Sequence, residues 1–315
     1  MWKNLNLPYS LPEGCDFNLS ALLKCFICQT RQVSMQNLHF DLHSHSTASD
    51  GSLSPSELVR HAHSQGVDVL ALTDHDVTAG LSEANQVAQE LGLQLIPGVE
   101  ISVTWNGVTI HVLGLNIDPE NSTLQAGLTG LRAFRSERGE EIARRLARHG
   151  IDGALEGAKA FANGQILSRT HFARFLVEQG QAKDMRQVFK KFLVHNRPGY
   201  VPGKWASLEE VLTWIRAAGG QAVIAHPARY RISASRLRQF IQEFKDLGGV
   251  GLEVISGSHS AGDVQGMAQY AKRFDLLASC GSDYHGPEQP WIEMGKLPPL
   301  PEICTPVWHE WVNAL

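Results

Sequence analysis

The chain contains 315 residues, of which 43% are hydrophobic and 19% are charged, and its formal net charge is −4. A chain of this length and composition can bury a large core, which excludes a disordered protein. No apolar run approaches the roughly 20 residues that cross a bilayer, and five cysteines are too few for a disulfide scaffold. The apolar stretch at 21–26 lies too far inside the chain for a secretory leader. We therefore expect a cytoplasmic protein, with Cys280 and Cys304 as ordinary thiols.

Basic residues are concentrated in one segment. Residues 131–200 contain 14 Lys and Arg against 7 Asp and Glu, a net charge of +7 that leaves −11 for the rest of the chain. A basic segment on an acidic protein suggests an anionic ligand that binds there. Solvated helix faces, with residues such as Glu137, Glu141 and Arg144, explain many of these charges equally well.

Residues 1–34 differ from the rest of the chain. They contain Pro8, Pro12 and the pair Cys25-x-x-Cys28, without a clear hydrophobic period. A lone CxxC pair is a weak zinc signal, because a zinc site needs a second pair of ligands nearby. We interpret 1–34 as an N-terminal extension without an assigned role and 35–315 as the main domain.

Short apolar runs alternate with helical patterns after Met35. Ser54 and Pro55 predict the start of the first helix, as its N-cap and first helical residue. The predicted strands are 38–42, 67–72, 93–99, 108–115, 222–225, 250–255 and 276–279. Continuous apolar character is typical of parallel strands, which are buried on both faces. Seven such strands with helical crossovers predict a TIM-like α/β barrel rather than an open sheet.

The segment 116–218 interrupts this alternation. Its pattern is mostly helical, it holds the basic excess, and it joins the fourth predicted strand to the fifth. We therefore predict a helical insertion between strands four and five.

Polar residues recur at the carboxyl ends of the predicted strands, where parallel barrels carry their chemistry. These ends read DLHSH at 41–45, TDHD at 73–76, PGVE at 97–100, AHP at 225–227 and GSDYH at 281–285. Two histidines separated by one residue, such as His43 and His45, lie on the same side of an extended strand, about 7 Å apart. A single histidine is more often structural. The recurrence of such groups strand after strand indicates a metal site.

The candidate ligands outnumber what one ion can use. They are His43, His45, Asp50, His75, Glu100, His111, His226, Asp283 and His285. At about four or five ligands per ion, two or three divalent ions fit. Three ions would outweigh the three carboxylates, so the pocket stays positive and suits a phosphate ester. Mixed histidine and carboxylate ligation fits Mn²⁺, Zn²⁺ or Fe²⁺ and does not separate them.

These motifs resemble the polymerase and histidinol phosphatase (PHP) superfamily. The signs are DLHSHS at 41–46, ASDGSLSP at 48–55, LTDHD at 72–76, PGVEIS at 97–102, His111, AHP at 225–227 and GSDYH at 281–285. The resemblance covers about 36–290 and implies a distorted seven-stranded barrel with a trinuclear metal centre. The helical insertion and Asp50 make the chain most similar to the ribonuclease AM / 3′,5′-nucleoside bisphosphate phosphatase branch. That branch trims RNA from its 5′ end and removes the 3′-phosphate of small bisphosphates such as pAp, commonly with manganese.

The resemblance also implies how the ligands are shared. It divides them into a first ion on His43, His45, Glu100 and Asp283, a second on Glu100, His111 and His226, and a third on Asp50, His75 and His285. Glu100, Asp283 and His285 are then the predicted catalytic residues. Asp41, Asp74 and Asp76 are predicted either to orient the histidines or simply to form hydrogen bonds at strand ends.

Candidate substrate contacts lie in the insertion, where Ser168, Arg169, Thr170 and His171 precede an apolar helical pattern. A helix N-terminus with these residues is a natural phosphate cradle, although a capped helix with one exposed arginine has the same pattern. Further candidates for phosphate are Arg135, Arg138, Lys190, Lys191, Lys204 and Arg229. Tyr200, Trp205 and Tyr230 are candidates for base stacking, and we expect two of these three in the core.

The leading hypothesis is a metal-dependent phosphoesterase that acts on short RNA and nucleoside bisphosphates. The alternative is a small-molecule phosphatase of the histidinol-phosphatase type, but the basic insertion favours a longer polyanion. A nucleic-acid or partner-binding module with a structural metal is the third hypothesis. Structural zinc sites are usually closed and rich in cysteine, whereas the ligands here are histidine and carboxylate. We expect no membrane association and infer no protein partner.

Overall fold

The computed structural model describes residues 38–162, 166–309 and 311. Its seven strands form one sheet in chain order: β1 (Phe40–Asp41), β2 (Val69–Leu72), β3 (Gln94–Trp105), β4 (Val108–Leu115), β5 (Gln221–Ile224), β6 (Gly251–Ser256) and β7 (Leu277–Gly281). The predicted extension at 1–34 lies outside the described residues. No helix within them combines the length and hydropathy needed to cross a bilayer.

Four helices accompany the strands of the barrel: α1 (Pro55–Ser64), α2 (Leu81–Leu91), α8 (Ala234–Asp246) and α9 (Ala261–Phe274). Ser54 caps α1 as predicted, because its hydroxyl accepts a hydrogen bond from the Glu57 backbone N–H while the Glu57 carboxylate accepts one from the Ser54 backbone N–H. Leu58, Leu70 and Ala84 belong to one buried apolar cluster that joins α1 and α2 to the sheet. The α/β barrel prediction is therefore confirmed.

The expectation that all strands are parallel is wrong at β4. β4 pairs antiparallel with both β3 and β5, whereas the other neighbours pair in parallel. Trp105 and Val108 face each other across a two-residue turn, Asn106-Gly107, in which both residues have positive φ values of 45° and 77°. An Asn-Gly turn of this kind closes an antiparallel hairpin, because its twist matches that of the strands.

The barrel is nearly closed between its first and last strands. The Leu42 N–H donates to the Cys280 carbonyl at 2.9 Å, and the Asp283 N–H donates to the His43 carbonyl at 2.9 Å. Ser44 and Tyr284 form a parallel bridge just beyond the strands. The polar ends of β1 and β7 therefore lie side by side.

The predicted helical insertion is confirmed as five α-helices and one turn of π-helix. They are α3 (Ser122–Ala147), α4 (Ala154–Phe161), α5 (Arg169–Glu178), α6 (Met185–Val188), the π-helical turn Phe189–Leu193, and α7 (Leu208–Ala217). Ile142, Phe172 and Leu176 belong to a buried apolar core that the insertion helices build among themselves. Residues of α3 also reach the barrel, which brings the basic segment to the edge of the site.

Candidate metal centre

All nine predicted ligands lie together at one end of the barrel. Seven of them follow a strand and His111 lies inside β4, both as expected, whereas Glu100 lies inside β3. The prediction that Glu100 closes its strand is therefore wrong, since β3 continues to Trp105. The parallel register of β2 with β3 ends at the pair Leu72 and Pro97, and beyond it β3 pairs with β4. The extended β3–β4 hairpin thus carries Glu100 and His111 at the open end of the barrel.

Glu100 is the centre of the cluster. Its side chain is 1% exposed. Oε1 lies 2.8 Å from His111 Nδ1 and 3.0 Å from His226 Nε2, and Oε2 lies 2.9 Å from His75 Nδ1. The Nε2 atoms of His43 and His45 are 3.4 and 3.3 Å from Oε2. One carboxylate therefore faces the imidazoles of five candidate ligands.

Two further carboxylates extend the cluster on either side of Glu100. Asp283 Oδ1 lies 3.4 Å from Nε2 of both His43 and His45, and its Oδ2 accepts from the Arg229 guanidinium at 2.5 Å. Asp50 Oδ1 lies 3.4 Å from His285 Nε2. Each carboxylate thus directs one oxygen toward histidines and leaves the other for a different partner.

The ligand atoms gather into three groups, each within 4.8 Å of one another: His43, His45, Glu100 and Asp283; His45, Asp50, His75 and His285; and His75, Glu100 and His111. The first has the membership that the family resemblance implies, and the second adds His45 to the implied third set. The last group contains His75, whereas the resemblance implies His226 beside Glu100 and His111. His226 still contacts Glu100. His45, His75 and Glu100 each belong to two groups, so neighbouring sites would share ligands.

The residues present fit a divalent metal ion. Within the described residues, the buried side-chain atoms without a hydrogen-bond partner include His45 Nδ1, Asp50 Oδ1 and His226 Nδ1. They also include His75 Nδ1 and Glu100 Oε2, which lie 2.9 Å apart but without the alignment of a hydrogen bond. Buried polar atoms normally find partners, since leaving one unpaired costs about 1–3 kcal/mol. Such atoms concentrated in one pocket of mixed histidine and carboxylate character indicate an ion as the missing partner.

The pKa shifts of the pocket residues also favour a bound metal ion. Burial opposes ionisation of Glu100, but His75, His111 and His43 hold its pKa well below the usual range. Burial also disfavours protonation of His45, but Asp283 and Glu100 raise its pKa to about 9. Burial lowers the pKa of His75 to about 4. Without metal, the pocket therefore holds ionised carboxylates partly balanced by imidazolium, and a cation can take over that balancing charge.

Backbone strain accompanies the site. Asp76, His226 and Asp283 each follow a strand and have positive φ values of 53°, 30° and 58°. Non-glycine residues pay a steric cost in this region, and such residues cluster at functional sites. At His226 and Asp283 the strained turn directs a candidate ligand into the pocket.

The three predicted orienting aspartates contact main-chain N–H groups and non-histidine side chains. Asp41 accepts from the Ser282 backbone N–H at 2.8 Å. Asp74 accepts from the hydroxyls of Ser46 and Ser49 at 2.7 and 2.6 Å and so shapes the loop that leads to Asp50. None of these contacts is with an imidazole ring, which matches the simpler alternative of hydrogen bonding at strand ends.

Sequence reasoning missed Glu253, which lies in the middle of β6 and is 0% exposed. Its Oε1 is 2.8 Å from His43 Nδ1. The available signal was a single carboxylate inside the otherwise apolar strand GLEVIS. The partner could not be read from the sequence, because 210 positions separate the two residues.

The predicted cradle at the start of α5 is a capping box that also contacts the metal pocket. The Ser168 hydroxyl accepts from the Thr170 N–H, and His171 Nδ1 accepts from the Ser168 N–H. The same hydroxyl donates to Asp50 Oδ2 at 3.0 Å. Burial lowers the pKa of His171 to about 4, so this side chain is neutral at physiological pH. Ser168 therefore links the insertion to a candidate ligand.

Two predicted arginines are largely occupied by other contacts. Arg135 is buried, with Nε donating to Asp76 Oδ2 at 2.7 Å and a terminal nitrogen donating to the Ser102 hydroxyl at 2.9 Å. Arg138 donates to the Val201 carbonyl at 3.1 and 3.0 Å. Both guanidinium groups lie over the ring of Trp205, at 4.9 and 5.4 Å from its centroid.

Arg169 differs from Arg135 and Arg138 in its contacts. Its half-buried guanidinium packs over the Phe189 ring at 5.7 Å, and within residues 38–162 and 166–309 it forms no hydrogen bond or ion pair. Burial and the nearby charge of Arg135 lower its pKa. Burial, Arg169 and Arg135 lower the pKa of Arg138 to about 9. This excess of buried positive charge favours an anionic ligand.

The remaining predicted contacts differ in exposure. Lys190, Lys191 and Lys204 are exposed. The Tyr230 hydroxyl donates to the Ala225 carbonyl at 2.8 Å and accepts from the His111 N–H at 2.9 Å, so it braces the β4–β5 pair. Tyr200 is half-buried beside His195, with ring centroids 5.2 Å apart.

Comparison with known proteins places this architecture in a family. The PHP domain model matches residues 41–254. A 3′,5′-nucleoside bisphosphate phosphatase from Chromobacterium violaceum is 46% identical over 86% of this chain and 96% of its own length. A 5′-3′ exoribonuclease from Haemophilus influenzae is 45% identical over 86% of this chain and 98% of its own length, and the 5′-3′ exoribonuclease Rnm of Escherichia coli is 44% identical over 86% and 93%.

Solved structures agree with this. A C. violaceum protein described as an amidohydrolase, solved with bound sulfate and no metal, superposes with a TM-score of 0.84 at 45% identity and covers 88% of this chain and 96% of its own. A candidate metal-dependent phosphoesterase from Bifidobacterium adolescentis superposes with a TM-score of 0.73 at 30% identity, covering 88% and 95%. With its family match, its seven-stranded barrel and its histidine and carboxylate cluster, this chain belongs to the PHP domain family.

Proposed function

We propose that this protein is a metal-dependent phosphoesterase that removes nucleotides from the 5′ ends of RNA and the 3′-phosphate from nucleoside 3′,5′-bisphosphates such as pAp. The observation that carries the proposal is the pocket of nine histidines and carboxylates, five of which have a buried polar atom without a hydrogen-bond partner. The similarity of most of the chain to a bisphosphate phosphatase and to 5′-3′ exoribonucleases supports the substrate class. Such substrates agree with the cytoplasmic location expected from composition.

The nine ligands would hold two or three divalent ions. The first would bind to His43, His45, Glu100 and Asp283, and a second to Asp50, His75 and His285 with His45. Glu100, His111 and either His75 or His226 would hold a further ion. When bound, the ions supply Lewis-acid stabilisation of the charge that develops on the phosphoryl oxygens. Manganese is the first candidate, and the ligand types also fit Zn²⁺ and Fe²⁺.

The side chains of the protein would hold the ions in place. Glu100 serves as the shared carboxylate, and Asp283 connects the centre to Arg229. His285 lies at the solvent side of the Asp50 group, with its side chain 15% exposed. We assign these three ligands to the reacting phosphate, as the family resemblance suggests.

The insertion would bind a second, non-reacting phosphate. Arg169 is the main contact, since its guanidinium has no anionic partner within the described residues, and Arg138 adds nearby positive charge. Ser168 and His171 fix the start of α5 and so position Arg169, rather than binding the substrate themselves. Arg135 pairs with Asp76 and donates to Ser102, so it supports the pocket rather than binding the substrate. A substrate with two phosphates, or an RNA 5′ end, matches a metal pocket beside a cationic subsite.

The test compares turnover of three substrates by one metal-depleted preparation reconstituted with Mn²⁺, Zn²⁺ or Fe²⁺. The substrates are a 5′-phosphorylated oligoribonucleotide, pAp and histidinol phosphate. We expect mononucleotide release from the oligonucleotide and AMP from pAp, with Mn²⁺ the most effective ion. Preferential turnover of histidinol phosphate would establish the small-molecule alternative instead. RNA binding without metal-dependent hydrolysis would contradict both and favour a binding module.

A further inference from the structure

Glu253 is a buried carboxylate that belongs to none of the three ligand groups. It lies in β6, a strand whose other residues are apolar or small, and its side chain is 0% exposed. A charge in such a place is very costly unless hydrogen bonds compensate it. The partners of this side chain therefore indicate why it is there.

Its two oxygens bind two different candidate ligands. Oε1 lies 2.8 Å from His43 Nδ1, and Oε2 accepts from the His226 backbone N–H at 2.5 Å. A histidine that ligates a metal is neutral, and a Glu253 carboxylate that accepts from Nδ1 leaves Nε2 as the ligating nitrogen of His43. Nε2 of His43 is then the free nitrogen, and it faces Glu100 and Asp283 at 3.4 Å.

The same carboxylate holds the main chain at His226. This residue has φ 30° and ψ 55°, a left-handed conformation that a non-glycine residue adopts at a cost. The hydrogen bond from its N–H to Glu253 helps to fix this turn. In that turn the His226 ring places Nε2 3.0 Å from Glu100 Oε1.

The neighbouring strand is shaped to admit this arrangement. The register between β6 and β7 shifts between Glu253 and Ile255. Gly281, at the end of β7, leaves room for both partners: a Cβ there would lie 2.2 Å from His43 Cβ and 3.0 Å from Glu253 Oε1. Any side chain at 281 would therefore displace His43 from Glu253.

We infer that Glu253 is a positioning residue of the metal centre, which fixes the ring tautomer of His43 and the main-chain turn of His226. The inference rests on the proposed function, since it assumes that both histidines are ligands. Carboxylates that accept from the distal nitrogen of a ligating histidine orient the ring and raise its basicity. Glu253 differs from this usual pattern because its one side chain contacts two candidate ligands, His43 after β1 and His226 after β5.

The test is Glu253→Gln, which keeps the volume and leaves one acceptor for two donors. We expect metal affinity to fall about 10- to 100-fold, measured by competition with a chromogenic chelator on the full-length protein. Glu243→Gln is the matched control, because Glu243 Oε2 accepts from Trp105 Nε1 at 2.9 Å away from the pocket. Wild-type affinity in Glu253→Gln, or an equal loss in both variants, would overturn the inference.

A second measurement needs no Glu253 variant. In wild-type protein labelled with ¹⁵N-histidine, two-bond ¹⁵N–¹H correlation spectra report each ring tautomer, and His43→Gln identifies the His43 signals. We expect His43 to be protonated at Nδ1 and not at Nε2 in the protein loaded with diamagnetic Zn²⁺. Protonation at Nε2 in the metal-bound protein would refute the role of Glu253 even if the variant failed to fold. A wild type that binds no metal would overturn the proposed function as well, whereas metal binding without phosphoesterase activity would overturn the function alone.

Discussion

Glu100→Gln tests the metal centre most directly, because it keeps the shape of the side chain and removes only its charge. Glu100 is 1% exposed, and both of its oxygens face imidazole nitrogens at 2.8–3.4 Å. It belongs to two ligand groups. The group with His43, His45 and Asp283 would retain one carboxylate, but the group with His75 and His111 would retain none.

The size of the effect follows from that difference. A divalent ion held only by neutral histidines and an amide loses its one anionic ligand, so we expect that group to lose its ion. If the Lewis-acid contribution of one ion is about 4 kcal/mol, its loss lowers kcat about 10³-fold. The fold should survive, because Gln fills the same volume and can still accept and donate hydrogen bonds to the surrounding rings.

The assay combines kcat on pAp, metal content by elemental analysis and circular dichroism, with Glu243→Gln as the matched control. The expected result is a loss of about three orders of magnitude, with one ion fewer per chain and an unchanged spectrum. Near-normal turnover with full metal content would show that Glu100 is not the shared ligand. A loss of activity accompanied by unfolding would refute the claim that charge, rather than shape, is what Glu100 supplies.

Three further predictions test other parts of the site. Arg169→Ala should raise KM for pAp about 10- to 150-fold, most strongly at low salt, with a smaller effect on kcat and little effect on a plain monophosphate ester. The control is Arg186→Ala, which changes an exposed arginine in the same insertion. Equal losses on both esters would show that Arg169 does not bind the second phosphate. Chelation should lower the melting temperature by several degrees, because metal that binds only the native state stabilises it. An unchanged melting temperature after verified metal removal would count against a multinuclear centre. Metal binding at pH 7.5 should release protons, because the pKa of His45 is raised to about 9 and the ring must deprotonate to ligate. Calorimetry in buffers of different ionisation enthalpy measures this release, and identical heats in all buffers would contradict it.

The sequence predicted the fold and the composition of the pocket because both depend on local patterns. Strand ends such as those at His75 and His226 carry their polar residues next to apolar runs, so each is visible within a few positions. The reversal of β4 was also visible, since Asn106-Gly107 is a strong hairpin signal. The continuous apolar character of 108–115, however, predicts a parallel strand. That inference failed because β4 is buried on both faces although it is antiparallel.

The pairings within the site were beyond sequence reasoning. The sequence makes Arg135 a candidate phosphate ligand, but its guanidinium donates to Asp76, which lies 59 positions earlier in the chain. Glu253 and His43 are separated further still. Charged residues in a sequence do not indicate which partner will neutralise them, and this choice decides whether an arginine binds the substrate or supports the pocket.

These pairings connect the insertion to the metal pocket at two points. Asp50 directs one oxygen to the histidines and accepts from Ser168, at the start of α5, with the other. Asp76, adjacent to His75 in sequence, accepts from Arg135 of α3. Both helices that carry the candidate phosphate-binding arginines are thus hydrogen-bonded to a ligand or to its chain neighbour. A phosphate held by Arg169 would therefore be fixed relative to the metal pocket through a short chain of buried hydrogen bonds. Such a connection provides the positional precision that hydrolysis of one phosphate requires when the other is held by the insertion.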